Sequence, residues 1–222
     1  MACVESAGSA DQGVVNRCHS RPTGCPDDHP LREAIFSRKR TVVVSGVGFL
    51  RRVWLTRLSG PAAERPLLRQ ILQRRPARIL ELGLGTLERT ERLLRIAAGL
   101  GPVHYVGLDP FEARSSVDPA GVTLKEAHRR LHGLGRVQLV PGNTDTALAR
   151  TCNQLGMFDL VLISSCNDRQ RLTRCWFFLQ RLVRPGTVLM QEHVRDAGHF
   201  WQEVSHERLA DLASQTILRR AG

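Results

Sequence analysis

The sequence predicts an α/β fold: a doubly wound, mostly parallel sheet with helices on both faces, preceded by a helical N-terminal extension. Three observations carry this expectation. From Pro76 onward, short apolar runs alternate with amphipathic stretches of 10–16 residues, the pattern of β-α-β units. Gly or Pro punctuates almost every junction between them. Right-handed crossovers then place the helices on both faces of one sheet.

Residues 1–28 are rich in Ser, Gly, Asp and Pro, show no hydrophobic period, and are expected to form a flexible arm. Residues 29–75 read as a basic, mainly helical preamble. Pro30 opens a short helix through Phe36, and Val42–Leu58 fits helix or strand. Pro61–Arg75 is a helix with Leu67, Leu68, Ile71 and Leu72 on one face, and Pro66 lies in its early turns, where proline is tolerated. The domain proper spans 76–222. Its strands are Arg78–Leu82, Val103–Leu108, Val137–Val140, Phe158–Ile163 and Thr187–Gln191, with Thr216–Leu218 beginning a last one. Its helices are Glu88–Gly99, Pro119–His132, Thr144–Gln154, Asp168–Val183 and Phe200–Ser214. In such sheets ligands bind beyond the carboxyl ends of the strands. That rule selects the loops Gly83–Leu87, Asp109–Ser116, Pro141–Asp145, Ser164–Asp168 and Glu192–Gly198.

Composition narrows the function classes. The formal net charge is +11, and 30 of the 32 basic residues are Arg. Between Arg51 and Arg78 eight Arg face a single Glu, so the excess precedes the strand-helix repeats. Arg51, Arg52 and Arg57 could meet an acidic partner, a nucleic acid or a lipid surface, or form a solvated helix face. Six cysteines without a CxxC pair do not make a disulfide scaffold, and reduced thiols are expected. Cys18, Cys25 and His29, with His19 or Cys3, match no standard zinc spacing, and no metal is expected. No run reaches the ~18 apolar residues of a membrane span, the longest candidate being Thr41–Leu50. The N-terminus lacks the pattern of a secretory signal, so a cytoplasmic location is expected.

The most informative stretch is Glu81-Leu-Gly83-Leu-Gly85-Thr86. Glycines directly after a strand let backbone approach a ligand closely, and the next helix offers free N–H groups. Asp109 ends the second strand 24 residues after Gly85, a position suited to two ribose hydroxyls. An adenosine-type ligand could thus lie across the first two strands. A dinucleotide fingerprint needs glycine where Glu88 stands, and no Gly-Lys-Ser/Thr phosphate loop occurs. A ligand with a cationic centre and an amino-acid tail suits the surroundings of Glu81 better.

Here the chain resembles the class I S-adenosylmethionine-dependent methyltransferases, whose fold is Rossmann-like, over about Arg78 to Leu218. Glu81-Leu-Gly83-Leu-Gly85 is similar to that family's first motif and Gly107-Leu-Asp109-Pro-Phe-Glu112 to its second. Pro141-Gly-Asn143-Thr-Asp145 takes the place of the loop beside the adenine. Phe158–Ile163 resembles the fourth-strand motif, and Leu182–Leu189 the turn into the fifth strand. The resemblance implies S-adenosylmethionine as cofactor, with Glu81, Gly83, Gly85, Thr86, Asp109, Asn143, Asp145 and Ser164 around it. Glu81 would meet the cofactor's amino group directly or through water, or pair with a nearby Arg. Asn143 and Asp145 also suit helix N-caps. There are departures. Leu87 stands where a third glycine is common, and the fourth strand ends in Ser164-Ser165-Cys166-Asn167 rather than Asp. An Asn/Asp-Pro-Pro-Tyr/Phe motif is absent, and the family's antiparallel last strand is expected to be missing.

The implied activity is in-line methyl transfer to an unidentified, small-molecule acceptor, driven mainly by proximity and orientation. His193 and Asp168 are the candidates for a general base, each with a plain local role as its alternative. Two other outcomes are compatible with the residues: a methyltransferase-like scaffold that binds without turnover, and an RNA- or phospholipid-associated methyltransferase using the Arg cluster. A nicotinamide oxidoreductase is disfavoured by Glu88.

Overall fold

The computed structural model describes residues 61–116, 118–196 and 198–221. The expectations for residues 1–60 fall outside that range. They include the arm, the helix from Pro30 through Phe36, the Val42–Leu58 segment, Cys3, Cys18, His19, Cys25, His29, Arg51, Arg52 and Arg57.

The described chain starts with a 3-10 turn, Ala62–Glu64, that leads into helix α1 (Arg65–Arg74). Leu67, Leu68, Ile71 and Leu72 are buried on its inner face, and Arg75 ends it in a left-handed conformation. Then follow β1 (Arg78–Leu82), α2 (Glu88–Ala98), β2 (His104–Asp109), α3 (Leu124–Leu131), β3 (Arg136–Pro141) and α4 (Thr144–Leu155). The rest comprises β4 (Leu160–Ile163), α5 (Arg169–Gln180), β5 (Val188–Arg195), β6 (Gly198–Glu203) and α6 (His206–Ala221).

Six strands form one sheet in the order β3-β2-β1-β4-β5-β6. The first five run parallel and β6 runs antiparallel to β5, so the sheet is mostly parallel and doubly wound as expected. Strands buried on both faces read as near-continuous apolar runs; β4 does so outright, and β1 and β2 do so but for Arg78, Glu81, His104 and Asp109. Alternate side chains feed two apolar clusters. Ile79, Tyr105, Leu160, Leu162 and Met190 pack with α1 and α2. Leu80, Leu82, Val106, Leu108, Val161 and Ile163 pack with α4, α5 and α6. Strand order reverses between β1 and β4, which sets the crevice at the carboxyl ends of those two strands.

Three elements differ from the sequence expectation. The helix expected over Pro119–His132 starts only at Leu124. The Thr123 hydroxyl accepts from the Glu126 N–H at 3.1 Å, and Glu112 accepts from the Leu124 N–H at 2.8 Å. Both caps fix the start there, and Pro119–Val122 stays outside the helix. The helix expected over Phe200–Ser214 begins at His206, because Gly198–Glu203 pairs with β5 and sends Trp201 into the core. Within the expected loop Glu192–Gly198, Glu192–Arg195 belongs to β5 and Gly198 opens β6, so an antiparallel strand is present after all. Thr216–Leu218 lies inside α6, where Thr216 donates to the Leu212 and Thr173 carbonyls.

Candidate functional site

A small, open cleft lies at the carboxyl ends of β1 to β4. Gly83, Asp109, Asn143 and Asp168 line it, so four of the residues expected at the site are brought together. Arg114, Cys166, Asn167 and Arg171 line it as well.

The turn after β1 needs its glycines. Gly83 has φ +81 and Gly85 φ +59, both left-handed, and the Gly83 N–H donates to the Leu108 carbonyl at 2.8 Å. A side chain on Gly83 would strike Cys166 Sγ and Asn167 Nδ2 at 2.4 and 2.8 Å, whereas Gly85 faces open space. Thr86 is exposed beside it. Leu87, at the place where the resembled motif often carries a third glycine, also has a positive φ of 68° but carries a fully buried side chain.

Asp109 is 0% exposed at the end of β2. It accepts from the Leu84 N–H and the Phe111 N–H, each at 2.8 Å. Arg114 Nη2 bridges both of its oxygens at 2.5 and 2.6 Å. Its place at the end of β2 is the one anticipated, while the arginine on it had no sequence signal.

Glu81 is 1% exposed and belongs to a separate ion network that abuts the glycine turn. Arg89 reaches it through Nε at 3.2 Å and Nη2 at 2.9 Å, Thr90 donates at 2.9 Å and Tyr105 at 2.8 Å. Of the two roles open to Glu81, pairing with a nearby Arg is the one the structure displays. Arg89 also donates to Glu192 at 3.2 Å and lies 5.0 Å over the Trp201 ring. Burial alone would lower the Arg89 pKa, but Glu81 and Glu192 outweigh it and hold the guanidinium charged. Burial, then the Glu81 carboxylate, pushes the Tyr105 phenol well up, so it stays a donor.

Glu192 was placed in a loop by the sequence and given no role. It sits at the end of β5 and accepts from the Ser164 hydroxyl at 2.9 Å and from the Ser165 N–H and hydroxyl at 2.9 and 3.0 Å. His199 Nδ1 lies 3.3 Å from its other oxygen. Burial pushes its carboxyl up, yet Arg89 and these Ser donors hold it below the usual carboxylate range. Ser164 thus serves Glu192 and does not line the cleft. The available signal was an acidic residue directly after the expected fifth strand, Thr187–Gln191.

The remaining candidates have local roles. Asn143 precedes α4 and accepts from Arg171 at 2.8 Å, and Asp145 pairs with Arg174 at 3.3 Å away from the cleft lining. Asp168 is the N-cap of α5, accepting from the Arg171 N–H at 2.8 Å. His193 stacks on Phe200 with ring centroids 5.3 Å apart and does not reach the cleft lining.

Arg78, at one end of the expected Arg cluster, is used internally. It donates to the Met157 and Leu155 carbonyls and to His104 Nδ1, and stacks over Phe158. Arg69, Arg74 and Arg75 are exposed. Among the described residues Cys152, Cys166 and Cys175 are outside disulfides, and no group of three His, Cys, Asp or Glu is arranged to hold a metal. Among them, too, no helix is long and apolar enough to cross a membrane.

No family model matches the chain, and no curated protein matches it. Solved structures similar to it include an O-methyltransferase from Bacillus cereus in complex with SAH, at 21% identity and a TM-score of 0.48, covering 74% of this chain and 71% of that one. The O-methyltransferase TomG from Streptomyces achromogenes, involved in tomaymycin synthesis and solved with SAM, is similar at 19% identity and a TM-score of 0.47, with coverages of 74% and 70%. A putative O-methyltransferase from Klebsiella pneumoniae is similar at 20% identity and a TM-score of 0.45, with coverages of 77% and 73%.

Proposed function

We propose that this chain is an S-adenosylmethionine-dependent methyltransferase acting on a small-molecule acceptor. The observation that carries the reading is Asp109: a buried carboxylate at the end of β2, facing the crevice beside the glycine turn, where strand order reverses. A carboxylate there offers two oxygens to a ribose diol.

The residues fit such a cofactor on one condition, that Arg114 leaves Asp109. Asp109 would then hold the ribose hydroxyls, and Asn143 would border the base. Gly83 and Gly85 would allow the amino-acid tail to approach the backbone. When bound, S-adenosylmethionine supplies an electrophilic methyl group on a sulfonium. The network next to the turn holds two carboxyl groups, Glu81 and Glu192, against one guanidinium, Arg89. That acid-rich surrounding favours a ligand carrying positive charge. The chain's part in the chemistry is binding, orientation and exclusion of water, and no side chain in the cleft is assigned as a base.

Calorimetric titration of the purified protein with S-adenosylmethionine and S-adenosylhomocysteine tests this. Binding of either, weakened at least about tenfold by Asp109→Ala, is the expected result. No heat with either ligand at millimolar concentration overturns it.

One observation favours a second reading, a methyltransferase-like binding protein without turnover. Both acids that would meet the cofactor, Glu81 and Asp109, are already paired to arginines of the chain. Cofactor binding with no S-adenosylhomocysteine formed across acceptor panels would establish it. Exposed Arg69, Arg74 and Arg75 leave an acidic partner as a further proposal, tested by nucleic-acid and anionic-vesicle binding at low salt.

A further inference from the structure

We infer that Arg114 is a resident competitor for the diol site on Asp109, so that ligand affinity is set by how readily this one side chain lets go. The inference rests on the reading that the cleft takes an adenosyl ligand.

Three observations support it. First, Asp109 has no acceptor capacity left. Leu84 and Phe111 supply a backbone donor to each oxygen, and Arg114 Nη2 bridges the two. A ribose diol would present two donors to the same two oxygens, so ligand and Arg114 exclude each other. Second, the loop is shaped to seat the guanidinium. Nη1 donates to the Pro119 carbonyl at 2.9 Å, and a Cβ on Gly121 would lie only 2.2 Å from the guanidinium carbon. Glycine at 121 is what leaves room for it. Phe111, which donates to Asp109 and starts the short turn leading to Arg114, holds a left-handed φ of 50°. A non-glycine residue adopts that only where its surroundings impose it. Third, the seat is imperfect. Arg114 Nε is buried without an acceptor, so departure of the side chain returns one stranded donor to water.

The consequence is a tax on binding. When the competent form is only a fraction of the population, the apparent dissociation constant rises by the inverse of that fraction. The exchange needs only a side-chain rotation: the guanidinium moves to solvent, and Asp109 trades one cationic donor for two hydroxyl donors.

The test is titration of the full chain with S-adenosylhomocysteine and S-adenosylmethionine, comparing the unaltered protein with Arg114→Ala and Gly121→Ala. Arg114→Ala removes the competitor. Gly121→Ala keeps Arg114 and Asp109 but spoils the seat, and it is the safeguard should a bare Asp109 unsettle the fold. Both variants are expected to bind about tenfold or more tightly than the parent, the gain for a form that is open about one tenth of the time. Equal affinity in all three proteins overturns the inference and leaves the cofactor reading standing. Weaker binding in both variants also overturns it, because Arg114 would then be holding the ligand. Absence of binding in all three removes the inference together with the cofactor reading.

Discussion

At the scale of single residues, the site is governed by where each carboxylate finds its cation. The glycine turn and the acid ending β2 were legible in the sequence, because close backbone approach and a strand-end carboxylate each demand a particular residue type. Arg89 and Arg114 were not legible, since in a chain whose cations are nearly all Arg nothing marks which one will fold back on an acid. Glu192 shows how such pairing couples to pH. Its folded pKa is depressed below that of a free glutamate. Its contribution is therefore complete above about pH 4.5 and is lost as pH falls through the folded value. The stability gap between the protein and Glu192→Gln, from urea unfolding at a series of pH values, is expected to narrow from pH 6 towards about pH 3. A gap that widened would contradict this sign. Leu87 is a second residue-scale case. Glycine there would relieve the left-handed φ by about 1 kcal/mol. It would also delete a fully buried leucine side chain, and truncating buried leucine to alanine already costs about 3–5 kcal/mol. The packing loss wins, so Leu87→Gly is expected to lower unfolding free energy by about 2–4 kcal/mol.

At the scale of elements, caps decided what periodicity left open. Strands β1, β2 and β4 were legible because burial on both faces makes them largely apolar, with only Glu81 interrupting β1 and polar residues at the ends of β1 and β2. Strand β6 was not: Phe200-Trp201-Gln202 is short, half exposed and followed directly by a helical sequence, so the helical period absorbed it. The N-terminal boundary of α3 was misplaced because Pro119 resembles a helix start, whereas Thr123 and Glu112 supply the real one. Asp168 shows the same logic within the candidate site. As N-cap of α5 it satisfies the Arg171 N–H. Asp168→Ala is expected to cost about 1 kcal/mol, and Asp168→Asn only a few tenths, since asparagine caps equally well. Equal losses in thermal unfolding of the two variants would show that the charge, not the cap, matters.

At the scale of the whole described sheet, a second set of polar ties lies at the end opposite the candidate cleft. At the amino ends of the strands, Asp159 accepts from the Ala77 and Arg78 N–H groups and pairs with Arg184. Arg78 ties β1 to the end of α4 and to His104 on β2. The cleft lies one strand length away, about 16 Å at 3.3 Å per residue. Arg78→Ala is expected to strand two carbonyls and cost about 1–3 kcal/mol, with affinity for S-adenosylhomocysteine unchanged. A parallel loss of affinity would show that the two ends are coupled. The sheet order itself was within reach of sequence reasoning, because right-handed crossovers and short connections leave few alternatives.

The Glu81–Arg89–Glu192 triad also has a history during folding. Its first pair spans 8 residues and can close as soon as β1 and α2 meet. Its second spans 103 residues and must wait for β5 to dock beyond β4. A contact of that range is made late, after most of the loop entropy has been lost. Such late contacts act on the rate at which the native state comes apart, with little effect on the rate at which it forms. In stopped-flow experiments, removing the Glu192 half of the triad is expected to steepen escape from the folded state and leave refolding nearly untouched. The ion network beside the cleft would then work as a lock on the time for which the sheet, once assembled, stays whole.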